Sequence, residues 1–182
     1  MALSVLGQEG SRESHDLKPA AYDALSAFLQ VQLDGKTSWD DIRVGQPGSV
    51  IAPTTMRWKT PIALDERSWM KRELKGLEDD TLDAFERCAT TSLAVTPKFS
   101  LSVSYKIASP DEISSVEKLY ATYPKTWGYI RVSCVAFNAS ESQALFFLER
   151  EMCRCAVGKF VLMKKDASGK WLIAGQMVRW IS

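Results

Sequence analysis

A single histidine stands in 182 residues, His15, and it lies among Arg12, Glu13, Ser14 and Asp16 ahead of the first recognisable helix. A Ser-His-Asp or Cys-His arrangement would need this polar lead-in to fold back over the chain, so imidazole-dependent catalysis is nearly excluded. The GxSxG, HExxH, P-loop and GxGxxG patterns are missing too, which closes the common routes to serine hydrolases, zinc proteases, NTPases and Rossmann oxidoreductases. No stretch approaches the ~18 consecutive apolar residues of a membrane span. Net charge is only +1, which gives no global attraction to nucleic acid. The opening MALSVLGQEG lacks the basic start and the apolar length of a complete signal peptide. There is no internal repeat and no low-complexity linker. A chain 46% hydrophobic and 25% charged then reads as one ordinary globular domain. Residues 1–15 are expected to be a disordered or processed lead-in, and residues 16–182 a single α+β domain.

What the chain does have is concentrated in its last third. Tyr129 to Phe137 is β-branched and aromatic and ends at the turn formers Asn138 to Ser142. Gln143 to Glu151 pairs back on it, with apolar residues at both parities to begin with: Ala144, Phe146 and Leu148 on one face, Leu145 and Phe147 on the other. That marks a central strand covered on both sides at its start. Val157 to Lys165 and Lys170 to Ile181 form a hairpin about Asp166 to Gly169, where glycine supplies a positive φ. This end carries 8 Lys+Arg against 4 Asp+Glu over residues 128–182. Such an excess reads as lysines guarding a solvated strand edge.

Upstream, Tyr22, Leu25, Phe28, Leu29 and Leu33 make one helical stripe with Pro19 in the first turn and Asp34-Gly35 as a stop. Residues 34–48 read as a loop anchored by Trp39 and Ile42. Ser49 to Thr55 is a short strand at an edge or ended by Pro53. Two short helices follow, over Asp65 to Lys75 and from Asp79 or Asp80 onward. Ser100 to Ile107 alternates strictly and predicts a half-buried strand. Ser109-Pro110-Asp111-Glu112 has the form of a capping box opening a helix that stops before Pro124. The expected architecture is helices packed on one face of a curved antiparallel sheet that ends in a four-strand C-terminal meander.

The pieces Tyr123-Pro124, Val135-Ala136-Phe137-Asn138, Gln143-Ala144-Leu145, Gly169-Lys170-Trp171 and Trp180-Ile181-Ser182 resemble the C-terminal block of an uncharacterised family of small bacterial proteins. The resemblance covers about the last sixty residues. It implies export, to the periplasm or the cell exterior, and supplies no catalytic residues. Ala136 departs from the family's usual glycine, and Cys153-Arg154-Cys155 compresses its cysteine turn. The order of elements is also similar to the nuclear-transport-factor-like fold, which implies a cone whose curved sheet encloses a ligand.

Among the four cysteines, Cys153 and Cys155 are the disulfide candidates of an exported chain, while Cys88 and Cys134 read as small buried apolar residues. The Cys-Arg-Cys spacing and the lone histidine argue against zinc, so neither a metal nor a cofactor is expected. Glu149 is the one candidate general base, provided its strand face lines a pocket; the competing reading has the strand leave the core at Leu148 and puts Glu149 and Glu151 in water, paired across strands with Lys159 or Arg131. Phe147, Trp171 and Trp180 are candidate ligand-binding aromatics, with core packing as the alternative. Asn138-Ala139-Ser140 is formally a glycosylation sequon. The function expected is a non-catalytic binding protein that uses the open face of its C-terminal sheet for a small molecule or a protein. The alternative is an isomerase or hydrolase with a carboxylate base in a cone-like pocket.

Overall fold

The computed structural model describes residues 16–34, 49–57, 62–109, 111–123, 126–152 and 155–182. The lead-in with His15, and the anchors Trp39 and Ile42, lie outside them. The fold is α+β. Its helices are α1 (Pro19–Leu33), α2 (Leu64–Glu73), α3 (Asp79–Cys88) and α4 (Val116–Thr122). Its strands are β1 (Ser49–Ile51), β2 (Tyr105–Ile107), β3 (Tyr129–Val132), β4 (Ala136–Phe137), β5 (Gln143–Met152), β6 (Cys155–Lys165) and β7 (Trp171–Ile181). They make one sheet in the order β2-β1-β3-β5-β6-β7, with β4 also on β5.

Alternation along β5 builds the two main cores. Ala144, Phe146 and Leu148 turn to α1 and meet Leu25, Phe28 and Leu29, with Phe28 edge-on to Phe146 at 5.5 Å. Leu145 and Phe147 turn the other way, to Met70 and Leu74 of α2 and Leu82 and Phe85 of α3. Each of the fully buried Leu, Phe and Met side chains contributes roughly 1.5–3 kcal/mol of transfer free energy. Helices therefore cover both faces where one covered face was expected. The reason is visible in β5, whose apolar residues of both parities each need a lid.

The sheet is also mixed: β1 runs parallel to both β2 and β3, and only the pairs formed among β3 to β7 are antiparallel. β1 is thus an interior strand, and Pro53 ends it. β7 is the far edge, and two register shifts against β6 interrupt it.

Two other elements are shorter than their patterns. In Ser100 to Ile107 only β2 is strand, because the Ser100 and Ser102 amides donate to Ser26 Oγ (2.9 Å) and Gln30 Oε1 (2.8 Å) on α1. Amides spent on a helix cannot join a ladder. The capping box forms by half, Ser109 N–H donating to Glu112 at 2.8 Å, and closes a turn. The helix starts only after Ser115, whose hydroxyl accepts the Lys118 amide at 3.1 Å. Ser114 and Ser115 are poor interior residues and good caps, so the start moves to them.

Candidate functional site

The path from β3 to β4 bends at one residue. Val132 lies opposite Leu148 but Ala136 opposite Leu145, so four steps on one side meet three on the other. Such a bulge leaves a ladder position to be filled by other means. Ser133 fills it: its N–H donates to Phe147 C=O (2.8 Å), its hydroxyl accepts the Phe147 N–H (2.9 Å), and the same hydroxyl donates to Cys134 C=O (2.7 Å). The bend is pinned from outside by the Cys88–Cys134 disulfide, which ties the last residue of α3 to it. Cys155 has a free, exposed thiol. Of the two disulfide candidates, Cys155 is thus unbridged and Cys153 lies outside the described residues, while the bridge joins the two cysteines read as plain core residues. Folding brings the α3 end over the bulge, and that approach has no signature in local spacing.

Beyond the bend, β4 has one strand neighbour, β5, among the described residues. Asn138 N–H donates to Gln143 C=O (3.2 Å). By the alternation of an antiparallel ladder, Ala136 bonds Leu145, and Phe137, between them, turns its N–H and C=O away from β5. No described residue takes these two groups. They face a cleft of about 410 Å³ between the start of α1 and the end of α3, floored by Cys134 to Ala139 and lined by Leu17, Ala21, Ala84 and Leu93. Lys18 and Arg87 stand on its opposite walls, and Glu141 closes the turn end. Both cations are exposed, and neither makes an ion pair with a described residue.

The turn beside the cleft is closed by side-chain hydrogen bonds. Asn138 Oδ1 accepts the Ser142 and Gln143 amides (2.8 and 3.0 Å), and its Nδ2 donates to Glu78 and Ser142 (3.0 Å each). With the residue 6% exposed and its amide group so engaged, the sequon asparagine is structural. Glu141 holds a φ of 51°, a left-handed conformation that non-glycine residues adopt at a cost.

The residues singled out by sequence lie elsewhere. Glu149 is half-buried and pairs with its cross-strand neighbour Arg131 at 2.7 Å. Burial pushes its carboxyl above the ordinary range, Arg131 pulls it part of the way back, and Glu151 raises it again. Neither this cleft nor the second one includes it. Phe147 is 1% exposed, packed on Phe160 at 4.9 Å, and Trp171 is 7% exposed, packed on Phe137 at 6.0 Å. Trp180 lies partly buried over Gly158, against the α2/α3 core. All three are core aromatics. Around β5 both sheet faces carry helices, while Leu172, Val178 and Ile181 of β7 stay exposed.

The second cleft, about 340 Å³, is lined by Ala63, Asp65, Glu66, Trp69 and Arg179. Its cation is already satisfied, since Arg179 pairs with Glu66 at 2.8 Å and lies over the Trp69 ring. Among the described residues no group of three or more His, Cys, Asp or Glu is placed to hold a metal ion, and no described helix is long and apolar enough to cross a membrane.

These features define an α+β protein with a mixed sheet and a disulfide-framed cleft over a strand edge that no described residue pairs. Comparison with protein-family models, with curated proteins and with solved structures finds no match in any of the three.

Proposed function

We propose that this is a non-catalytic binding protein, exported to an oxidising compartment, that takes an extended polypeptide segment by strand addition on β4. The observation that carries this reading is the outward-turned Phe137 N–H and C=O on the floor of the cleft. Main-chain groups on an open edge recognise a strand of any sequence, and the flanking walls then select side chains. The far edge, β7, is a poorer template, because its two register shifts and Arg179 interrupt a continuous ladder.

The Cys88–Cys134 bridge supports export, since disulfides persist outside the reducing cytosol. So does the family resemblance of the C-terminal block, which is the basis for a periplasmic or extracellular location. A carboxylate-base enzyme has less support, because Glu149 is engaged by Arg131 and lines neither of the two clefts described above.

The test is a random-peptide selection on the oxidised protein, followed by N-methylation of each backbone position in the best binder. Strand addition predicts loss of binding at alternate positions and slowed exchange of the Phe137 amide in the complex. Uniform tolerance of N-methylation, or exchange changes confined to another region, would refute it.

A further inference from the structure

We infer that the β4 cleft selects acidic segments, in particular strands with two adjacent acidic residues; this rests on the strand-addition reading above. The cleft's walls belong to opposite faces of the sheet, because α1 packs on the Phe146 face and α3 on the Phe147 face. Lys18 is on the first wall and Arg87 on the second. Successive side chains of a strand point to opposite faces. A segment laid along β4 therefore sends one side chain toward Lys18 and the next toward Arg87.

Several other cations on the Phe147 face are neutralised within the fold. Arg67 is held by Asp83 and Glu86 at 2.7 Å each, Lys71 by Asp79, Arg131 by Glu149 and Arg179 by Glu66. Lys18 and Arg87 have no such partner among the described residues, and the cleft's one carboxylate, Glu141, sits at its turn end. The remaining wall residues are apolar, and Ala21 and Ala84 are short enough to let a strand approach. The complement of this surface is an extended segment with small apolar residues around a central Glu-Asp or Asp-Glu pair.

The experiment uses fluorescein-labelled heptapeptides that differ only in the central pair, Glu-Asp, Gln-Asn or Lys-Lys, within one Val/Thr scaffold. Anisotropy titrations at low salt should give the acidic peptide about tenfold tighter binding than the neutral one, from two exposed ion pairs. Added salt should narrow that gap. Lys18→Glu combined with Arg87→Glu should invert the order and favour the Lys-Lys peptide. Both sites are exposed, and an unchanged thermal melt confirms the fold; Lys18→Gln with Arg87→Gln, expected to abolish the preference, serves if it is not. Equal binding of acidic and neutral peptides, or a preference that survives both double variants, overturns acidic selection and leaves strand addition standing. Binding of none of the three overturns both.

Discussion

Breaking the Cys88–Cys134 bridge should remove about 4 kcal/mol of stability. The two residues are 46 apart, and cross-linking a loop of that length lowers the entropy of the unfolded chain by an amount worth ~4 kcal/mol at 25 °C. A domain of this size has roughly 5–15 kcal/mol in total, so the loss is a large share of it. At roughly 2–4 °C per kcal/mol, the melting temperature should fall by about 8–16 °C. The assay is urea unfolding of the native protein with and without a dithiol reductant, beside Cys88→Ala combined with Cys134→Ala. Reduction keeps both sulfurs in place and isolates the cross-link. The double variant adds a packing loss at Cys134, which is 1% exposed, and should be the less stable of the two. The dependence on urea should steepen in both cases, because an unlinked chain exposes more surface on unfolding. A shift under about 1 kcal/mol on reduction, or a peptide map linking Cys155 to another cysteine, would refute the reasoning.

Gly158→Ala should destabilise by about 1–3 kcal/mol in a thermal melt, because its Cβ would meet the Trp180 ring and come within 2.7 Å of the buried Phe147. Ser133→Ala should cost about 1–3 kcal/mol, since it leaves the buried Phe147 amide without its acceptor; it should also weaken peptide binding at β4, because the bulge that aims the strand is lost. Glu149→Gln should match the wild type near pH 4 and be the more stable of the two at pH 7. The folded carboxyl holds its proton above the unfolded value of about pH 4.3. Wild-type stability therefore falls as pH rises through the window from there to the folded value. Urea unfolding at the two pH values checks it, and a variant that loses ground at pH 7 would show that the Arg131 pair outweighs burial.

Elements were legible wherever a local pattern had only one way to be satisfied. The stripe of Tyr22, Leu25, Phe28 and Leu29 made α1, and the two-sided apolar run of Gln143 to Leu148 made β5 central. Gly169, with a φ of 83°, closed the β6–β7 hairpin where its turn residues stood. Patterns failed where a distant partner intervened. Ser26 and Gln30 took amides from the alternating run before β2, and Ser115 outcompeted the capping box at Ser109.

The candidate site was almost wholly illegible, for a physical reason. Its floor is a backbone edge, and a backbone N–H looks the same in every residue. Its frame is a disulfide, and four cysteines admit three pairings that spacing alone does not rank. Its cations, Lys18 and Arg87, lie 69 positions apart and share a cleft only because α1 and α3 pack on opposite faces of one sheet. By itself the sequence determined the class of fold and the central strand, because periodicity acts locally. Which cysteines pair, how the sheet faces are covered and which strand edge has no neighbour among the described residues were decided by tertiary packing, because each depends on segments that meet only once the chain has folded.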